Sequence, residues 1–418
     1  MTGGTVELLR NAVRSYAWGS RTAIAELLGG PVPAPHPQAE LWLGAHPADS
    51  SVLLHADGRQ TSLLDAVRAD PGRQLGSCCA ARWGSRLPFL LKVLAAEEPL
   101  SLQAHPSAAQ AAEGFAREEA MGIPRDAPER NYTDASHKPE LICALTELHA
   151  LAGFRPPQRT VELLTMLDVP QLAPYRAMLA AEPNAGGLRT LFTTWITMPE
   201  FAVKALLPQI LDACVALLRR PGGDFRDECR AVLELAGAYP GDGGVLAALL
   251  LHHVVLASGE ALYLPAGNLH SYLRGTAVEI SANSDNVLRG GLTAKHIDVP
   301  ELLRVLDFSY CELQVQRGQR VGPHETAYAT PAEEFRLTRL DWARDESDPI
   351  CLRSPCPQIL LCTQGSVQLW SLGGGRITVG RGGSVWLAAA DPDVTVCPGP
   401  GPVQLFRACA GRTAEHTS

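Results

Sequence analysis

The sequence predicts a mainly β protein in which a helical segment interrupts the first of two β domains. Short alternating or apolar runs, broken by Gly and Pro, extend from Val6 to about Arg155, and this texture returns after Gly241-Asp242-Gly243-Gly244. From about Pro156 to Tyr239 the apolar residues instead recur at helical spacing. Many short strands at even spacing indicate a sandwich or jelly roll rather than a parallel α/β sheet. We therefore predict a first β domain in two parts (residues 1–155 and 241–320), a helical insert (residues 156–240) and a C-terminal β domain (residues 321–418).

The helical insert is predicted from one apolar stripe. Its residues follow the i, i+4, i+7 and i+8 spacing of a buried helix face: Val203, Leu207, Ile210, Leu211, Cys214, Leu217 and Leu218. Pro208 lies inside this stripe, so it must either kink the helix or mark its true start. The stretch Pro221-Gly222-Gly223-Asp224 predicts where the helix ends.

Composition and charge exclude several classes of function. The chain has 418 residues, of which 46% are hydrophobic and 19% charged, as in ordinary globular proteins. The formal charge of −8 leaves no broad basic surface, so we expect no nucleic-acid partner and no membrane partner. The apolar run Val245–Leu251 is the longest candidate span and is too short for a membrane helix. Met1–Ser20 has no apolar run long enough for a signal peptide, so we expect none. No glycine-rich nucleotide loop occurs.

The cysteines point to a reducing compartment. There are eleven, with no CxxC pair, and most stand singly in apolar stretches, as Cys143, Cys214 and Cys362 do. We interpret them as reduced core residues of a cytoplasmic protein.

A first candidate site is the segment Leu100–Pro106. If it is a strand, Ser101, Gln103 and His105 share one face and apolar residues share the other, because side chains alternate with period two. A solvated strand face would produce the same alternation. Gln and His two residues apart, however, can chelate a metal from neighbouring inward positions.

A second candidate is His137-Lys138-Pro139-Glu140, which precedes the apolar run Leu141–Leu145. Pro139 keeps the segment extended, so Glu140 stands where a strand enters the core. A carboxylate buried there needs a cation or strong hydrogen bonds. Placement at the surface mouth of the strand remains an equal alternative.

Two further segments contain polar residues beside strands. In Gly259–Tyr272 a Pro-Ala-Gly turn presents His270 at the start of a strand, although a lone histidine is more often a core or surface residue. In Ala277–Arg289, Glu279 faces away from Val278 and Ile280, towards a polar inner side. Arg289 and Lys295 together could receive a phosphate, and a solvated loop is the alternative.

Several segments, in this order along the chain, resemble type I mannose-6-phosphate isomerases: Tyr16–Gly19, Gln38–Pro47, Leu87–Lys92, Ser101–Pro106, Asn131–Glu140 and Asn283–Gly291. A weaker likeness occurs at Thr330–Phe335. The resemblance implies two cupin-type jelly-roll domains with an α-helical insert, and one zinc ion bound by Gln103, His105, Glu140 and His270. Ser107 departs from the family, in which Asn or Asp commonly follows the His-Pro pair. From about Val321 the match is too loose to assign a role.

The resemblance also implies an aldose–ketose isomerase acting on a sugar phosphate. Such a reaction moves a proton between neighbouring carbons and needs stabilisation of an enediol-like charge. The matched positions supply candidates for catalysis in Lys138, Asp285, His137, Glu279 and Arg289. We expect Lys138 and Asp285 to take part in proton transfer, His137 in ring opening, and Arg289 in binding phosphate or stabilising the oxyanion. We also expect five further residues to contact the substrate: Trp18, Glu40, Lys92, Ser101 and Lys295.

Two other classes of function compete with this prediction. One is a different cupin metalloenzyme, such as an iron or manganese oxygenase or another sugar-phosphate isomerase. The other is a non-catalytic sugar-binding double cupin, which would not need Arg289, Lys295 and a zinc site together. We expect a monomer that acts on mannose 6-phosphate and fructose 6-phosphate.

Overall fold

The computed structural model describes residues 6–310, 312–353, 355–371 and 375–411. Its first part alternates strands with short helices, in the order β1 Glu7–Arg10, β2 Ala12–Arg14, α1 Ala23–Leu27, β3 Glu40–Leu43, β4 Ala45–His46, β5 Asp49–Ser50, β6 Val52–Leu54, β7 Gln60–Ser62, α2 Leu63–Ala69, α3 Pro71–Leu75, α4 Ser77–Trp83, β8 Phe89–Ala96, β9 Gln103–Ala104, α5 Ala108–Ala120, β10 Glu140–Ala144 and β11 Leu148–Phe154.

Consecutive helices follow: α6 Pro157–Leu167, a 3₁₀ turn at Pro170–Leu172, α7 Ala173–Ala181, α8 Ala185–Ile196, α9 Glu200–Arg219 and α10 Arg226–Ala238. The remaining elements are α11 Gly244–Ala248, β12 Leu251–Leu256, β13 Ala261–Leu264, β14 His270–Ala282, β15 Leu288–Arg289, α12 Val299–Val305, β16 Gln319–Arg320, β17 Glu325–Ala327, β18 Arg336–Trp342, β19 Ile350–Leu352, β20 Gln358–Gln364, β21 Ser366–Ser371, β22 Arg376–Gly380, β23 Ser384–Leu387, β24 Val394–Pro398 and β25 Val403–Cys409. The chain is thus mainly β with a helical part.

Two large sheets and one small sheet organise the β structure. A ten-stranded sheet contains β2, β3, β8 and β9 to β15. A nine-stranded sheet has the order β16-β17-β18-β25-β20-β23-β1-β6-β7, and a four-stranded sheet has the order β19-β24-β21-β22. The nine-stranded sheet therefore joins three N-terminal strands to strands near the other end of the chain, with β1 between β6 and β23.

Four apolar cores lie between these layers. One core fills the space between the nine-stranded and four-stranded sheets, with Leu340, Leu360 and Val396 among its residues. A second joins the nine-stranded sheet to the ten-stranded sheet. A third lies within the curved ten-stranded sheet. The helices form the fourth core and pack through it against the ten-stranded sheet, where Leu102 and Ala104 contribute. Residues 102–105 therefore lie where the helical and β layers meet.

Helix α9 refines two expectations from the sequence. It begins at Glu200 and contains Pro208 at an exposed position, so Pro208 does not mark its start. Among the described residues, α9 is the one helix long and apolar enough to cross a membrane by length and composition. The prediction that Val245–Leu251 is the longest candidate membrane span was therefore wrong. Core helices pass the same test, and six α9 residues are buried in the helical core: Val203, Leu206, Leu207, Ile210, Cys214 and Leu217.

The all-strand prediction for residues 6–155 missed helices α1 to α5. Helix α5, rich in Ala and Glu, follows helix propensity rather than a strong apolar stripe. Its N-cap is Ser107, whose hydroxyl accepts the backbone N–H of Gln110 at 3.3 Å, while the Gln110 side chain accepts the backbone N–H of Ser107 at 2.9 Å. Ser107 therefore performs the capping role that Asn or Asp can also perform.

Candidate metal centre

Three buried side chains converge where two strands begin and a third ends. Glu140 is the first residue of β10, His270 is the first residue of β14, and His105 follows β9. One ligand atom from each lies within 4.8 Å of the others. His105 Nε2 is 3.3 Å from Glu140 Oε1, and His270 Nε2 is 3.4 Å from Glu140 Oε2. The carboxylate therefore lies between the two imidazoles.

Both imidazoles are oriented as metal ligands. His105 Nδ1 donates to the carbonyl of Asn286 at 2.7 Å, and His270 Nδ1 donates to the carbonyl of Asn268 at 3.0 Å. A carbonyl only accepts, so each Nδ1 carries the proton and each Nε2 presents a lone pair. His105 Nε2 has no hydrogen-bond partner among the described residues. Burial lowers the pKa of His105 to about 4, which keeps the ring neutral and able to bind a cation.

Gln103 is placed beside this cluster by strand pairing. In β9 it lies opposite His270 of β14 and opposite Arg289 of β15. Directly opposed residues of antiparallel strands project from the same face of the sheet. Gln103, His270 and Arg289 therefore share one face, and the amide of Gln103 can supply an oxygen next to the imidazoles.

The local sequence fixes these positions through turns and backbone hydrogen bonds. Gly267, in the turn before His270, donates its N–H to the carbonyl of His105 at 2.8 Å. Its φ of +77° favours glycine, and a Cβ there would lie 3.0 Å from backbone atoms of Val305 and Asp307. A side chain at position 267 would therefore disturb the contact between the two histidine-bearing segments.

Lys138 neutralises the buried carboxylate from the adjacent polar face. Its Nζ lies 3.0 Å from Glu140 Oε1. Burial opposes the charge on Glu140, but the Lys138 ammonium holds the pKa of that carboxyl well below its ordinary value. The carboxylate is therefore ionised and can bind a cation at neutral pH.

A second group of buried charges, formed by Lys92, Glu40 and Glu279, accompanies the Lys138–Glu140 pair. Lys92 Nζ is 3.1 Å from Glu279 Oε1 and 3.7 Å from Glu40 Oε1, and all three residues are buried. Burial works against the Lys92 charge, but the carboxylates of Glu40, Glu279 and Glu140 raise the pKa of this ammonium above its ordinary value. Trp42 Nε1 donates to Glu40 Oε2 at 2.8 Å and so fixes the carboxylate.

Glu279 and Tyr272 connect this group to the metal cluster. Burial and the negative charge of Glu140 raise the pKa of Glu279. Burial, with the charges of Glu279 and Glu140, also raises the pKa of Tyr272, so the phenol keeps its proton. The Tyr272 hydroxyl has no hydrogen-bond partner among the described residues. It is a candidate substrate donor that the sequence prediction did not assign, although it stands two residues after His270 on the same strand.

Asp285 lies at an exposed edge of the site, paired with a histidine that was also missed. Its Oδ2 is 3.2 Å from His46 Nε2. Partial burial opposes its charge, but His46, Lys138 and Lys92 lower the pKa of the carboxyl. Both lysines also contact carboxylates of the site, so Asp285 lies within electrostatic reach of the metal cluster.

Arg289 and Lys295 provide positive charge that no carboxylate neutralises among the described residues. Burial lowers the pKa of Arg289, and burial with the charge of Arg289 lowers the pKa of Lys295. The two cations are therefore near each other. Because Gln103 lies opposite Arg289, Arg289 is next to the predicted metal ligands.

The remaining predicted residues differ in how closely they approach the site. Trp18 packs against the core that contains Tyr272 and Leu100. Ser101 is half-buried, two residues before Gln103. The structure does not bring His137 to the metal cluster: its Nε2 lies 2.6 Å from Glu334 Oε1 of the C-terminal part. In an extended segment His137 and Lys138 point to opposite sides, which is the physical reason for the separation.

Asn286 holds several of these segments together, and the sequence prediction gave it no role. Its Oδ1 accepts the backbone N–H of Thr133 at 2.8 Å, and its Nδ2 donates to the carbonyls of Asp134 and Ser136 at 2.7 and 2.8 Å. Its own carbonyl accepts from His105. One fully buried amide therefore positions both a metal ligand and the segment that leads to Lys138.

Comparison with known proteins identifies the family. A model of the family described as "Phosphomannose isomerase type I, catalytic domain" matches residues 6–157. Mannose-6-phosphate isomerase of Escherichia coli is 40% identical over 395 residues, which cover 94% of this chain and 97% of the relative. The chain belongs to the type I phosphomannose isomerase family. A plant member, mannose-6-phosphate isomerase 2 of Arabidopsis thaliana, is 32% identical and covers 98% of this chain and 94% of its own length.

Solved structures of the family have the same fold. A mutant of phosphomannose isomerase from Salmonella typhimurium matches with a TM-score of 0.87 at 36% identity, over 98% of this chain and all of that one. A zinc-bound mannose 6-phosphate isomerase matches with a TM-score of 0.87 at 37% identity and the same coverage. Membership in this family, and a mainly β fold with a helical part, agree with the prediction from the sequence.

Proposed function

We propose that this chain interconverts D-mannose 6-phosphate and D-fructose 6-phosphate at a zinc ion bound by Gln103, His105, Glu140 and His270. The observation that carries the proposal is the buried convergence of His105, Glu140 and His270 within 4.8 Å, in a chain of this family. The names of the relatives support the reaction, and the zinc-bound relative supports the metal. We also propose that the two β units are cupin-type jelly rolls, with domain boundaries at residues 155, 240 and 320.

The residues present fit a zinc ion. Two neutral imidazoles, one ionised carboxylate and an amide oxygen suit a borderline divalent metal, and none of them is a thiolate. When bound, zinc supplies Lewis-acid stabilisation of negative charge on a sugar oxygen. The orphaned Nε2 of His105 and the carboxylate between two imidazoles are the features that such an ion satisfies.

Proton transfer is assigned to residues that border the cluster. The reaction removes a proton from C2 of the aldose and returns it to C1, passing through an enediol-like intermediate. Asp285 is ionised and exposed, and Lys138 lies 3.0 Å from a metal ligand, so these two are the proposed proton carriers. Lys92 and Glu279 hold each other in a fixed ion pair, and Tyr272 can donate to a sugar oxygen.

Recognition of the phosphate is assigned to Arg289 and Lys295. Their charges lack a carboxylate partner among the described residues, and a phosphate dianion supplies the missing charge. The proposal therefore places the phosphate beside β15 and the reacting carbons beside β10 and β14. Trp18, Glu40 and Ser101 complete the proposed walls of the cavity.

Conversion of mannose 6-phosphate to fructose 6-phosphate, with and without a chelator, tests this function. Wild type and His36→Ala, which changes an exposed histidine, should both isomerise the substrate and lose activity with chelator. His270→Ala should lose activity and zinc together. Zinc binding without isomerisation would overturn the proposed reaction, whereas activity that persists in His270→Ala would overturn the proposed metal ligands.

The chain is further proposed to act as a monomer in the cytoplasm, without a nucleic-acid or membrane partner. All described cysteines are free, and Cys79, Cys143, Cys214, Cys229, Cys362 and Cys409 are buried, which supports a reducing compartment. The formal charge of −8 supports the absence of a polyanionic partner.

A further inference from the structure

A buried histidine lies against the carboxylate of Asp285. His46 is the last residue of β4 and is only 3% exposed. Its Nε2 lies 3.2 Å from Asp285 Oδ2, whereas the side chain of Asp285 is 48% exposed. The pair therefore joins an imidazole that is enclosed by the protein to a carboxylate that a small molecule can reach.

The turn after β4 determines which nitrogen of His46 carries the proton. The backbone N–H of Ala48 donates to His46 Nδ1 at 3.1 Å. A nitrogen that accepts a hydrogen bond holds no proton, so the proton of the neutral ring is on Nε2. Nε2 therefore donates to Asp285 Oδ2. With Nε2 protonated and Nδ1 engaged, His46 has no free lone pair with which to take a proton from Asp285.

Neighbouring groups hold the His46 ring in one orientation. The ring of Trp42 meets it edge-on, with centroids 4.9 Å apart and planes that cross at 76°. The carbonyl of Ala45, the preceding residue, accepts a long hydrogen bond of 3.5 Å from Asn283 Nδ2. The strand that carries His46 is therefore tied to the segment that carries Asp285.

The backbone of Asp285 is held independently of its side chain, by Asp134. The Asp285 N–H donates to Asp134 Oδ2 at 3.0 Å, and the hydroxyl of Ser284 donates to the same carboxylate at 3.0 Å. Among the described residues, His46 is the one group that forms a hydrogen bond with the Asp285 carboxylate. The direction of this carboxylate therefore depends on His46, and its Oδ1 stays open.

The same hydrogen bond favours the ionised form of Asp285. Burial raises the pKa of this carboxyl, but the hydrogen bond from His46 lowers it. The charges of Lys138 and Lys92 lower it further, so the pKa lies below its ordinary value. A donor that binds the charged form of a carboxyl keeps it ready to accept a proton.

We propose that His46 is a positioning residue, which donates through Nε2 to Asp285 Oδ2 and so presents Asp285 Oδ1 to the proton on the reacting carbon. This inference rests on the proposed function, in which Asp285 carries that proton. His46 acts through Asp285 and does not itself transfer a proton. A base that is held at one oxygen is already oriented when the substrate binds, which lowers the barrier to proton transfer.

Two isosteres of His46 separate the roles of its two nitrogens. His46→Asn keeps an acceptor at the position of Nδ1 and removes the donor, whereas His46→Gln keeps a donor at the position of Nε2. For isomerisation of mannose 6-phosphate by the zinc-loaded enzyme, kcat should fall about tenfold in His46→Asn, with KM and zinc content unchanged. In His46→Gln, kcat should stay within about threefold of wild type.

The pH dependence of kcat provides a readout that general damage to the fold would not change. In His46→Asn the fall of kcat on the acid side should begin at a higher pH, because the Asp285 carboxylate has lost a donor that favours its ionised form. His46→Gln should keep the wild-type profile. The matched control is His55→Asn, which removes a histidine paired with Glu7 at 2.6 Å elsewhere in the chain and should keep both kcat and the profile.

A double-mutant cycle distinguishes positioning from an independent effect. Addition of His46→Asn to Asp285→Asn should not lower kcat further, because no carboxylate is left to position. A wild-type kcat in His46→Asn, equal losses in the Asn and Gln variants, or an additive loss in the double variant would each overturn the proposal. Absence of isomerisation in the wild type would instead overturn the proposed function.

Discussion

At the scale of single residues, the metal centre depends on groups that hold each ligand in one orientation. The carbonyls of Asn286 and Asn268 fix the protonated Nδ1 of His105 and His270, and Lys138 fixes one oxygen of Glu140. These partners leave the ligand atoms facing a common point. The residues proposed to take part in the reaction surround that point. Replacing them one at a time should show which residue serves metal binding, which serves proton transfer and which serves phosphate binding.

Asp285 is expected to affect turnover without affecting the metal. Asp285→Asn keeps the shape of the side chain but removes the carboxylate, so kcat should fall by about 10²-fold or more while zinc content stays at the wild-type level. Steady-state kinetics and metal analysis on the same preparation check this. Asp57→Asn, which changes an exposed carboxylate far from the site, is the control. A wild-type kcat in Asp285→Asn would remove this residue from proton transfer.

Arg289 is expected to act on binding of the phosphorylated substrate. Arg289→Ala removes charge-assisted hydrogen bonds worth about 1.5–3 kcal/mol each, so kcat/KM should fall by roughly 10- to 100-fold or more. Arg220→Ala, at an exposed arginine beyond α9, should leave kinetics unchanged. If KM is unchanged and only kcat falls, Arg289 stabilises the oxyanion instead of the phosphate.

Single residues were predictable from the sequence where a local pattern identified them. The period-two alternation at residues 101–105 and the position of Glu140 at a strand start reflect local chemistry. The resemblance combined Gln103, His105, Glu140 and His270 into one ligand set. Tyr272 could have been found by the same rule, because it shares the face of His270. The contact between His46 and Asp285 joins positions far apart in sequence, and no local pattern indicates it.

At the scale of elements, the long strand β14 connects the two halves of the ten-stranded sheet. Its first half pairs with β11 and its second half pairs with β8 and β10. Gly275 lies between the halves with a φ of +119°, and a Cβ there would lie 2.4 Å from the carbonyl oxygen of Glu147. The bend that carries the chain from His270 to Glu279 therefore requires glycine.

Substitution of Gly275 should destabilise the protein, whereas a helical glycine should behave in the opposite way. Gly275→Ala should lower the free energy of unfolding by about 1–3 kcal/mol, because it combines backbone strain with a steric clash. Gly237→Ala, in α10 where a Cβ has open space, should raise it by about 0.5–1 kcal/mol. Urea unfolding midpoints of the two variants measure this, and equal midpoints would contradict the account of β14.

Elements were predicted best where periodicity was strong. Five of the seven residues in the predicted α9 stripe are buried, and Leu211 and Leu218 are half-buried, as the spacing indicates. Helices α2 to α4 were missed because five- and seven-residue helices depend on caps, such as Ser62 and Asp70, and on packing rather than on a repeating apolar face. Within the segment Leu100–His105, only Gln103–Ala104 forms a strand.

At the scale of the whole molecule, strands from both ends of the chain form one sheet. Leu8 and Leu9 of β1 pair with Leu54 and Leu53 on one side and with Val385 and Ser384 on the other. Trp386 donates to the Gln74 side chain at 2.8 Å, which adds a second link between the N-terminal and C-terminal parts. The C-terminal β unit is therefore completed by residues that precede the metal centre in sequence.

A fragment of residues 321–418 should not fold alone. Without β1, β6 and β7 the edge of β23 and the apolar surface around Trp386 would be exposed. We expect no cooperative urea transition in tryptophan fluorescence, in contrast to a cooperative transition for the whole chain. Cooperative unfolding of the isolated fragment would show that the shared sheet contributes little to its stability.

The order of β and helical regions was predictable from the sequence, but their pairing was not. Short apolar runs broken by Gly and Pro distinguish strand regions from helical regions locally. The position of β1 beside β23 depends instead on pairing between residues far apart in sequence. A cavity of about 550 Å³ among residues 82–88, 135–139 and 331–334 was not predictable for the same reason, because these segments are far apart in sequence.

The central claim is that isomerisation takes place at one metal ion held by His105, Glu140, His270 and Gln103. Titration of zinc into the metal-free enzyme, with bound zinc and mannose 6-phosphate isomerisation measured at each point, tests it most directly. We predict that activity rises in proportion to bound zinc and saturates at about one equivalent per chain. Full activity in the metal-free enzyme, or saturation of zinc binding without activity, would contradict the account.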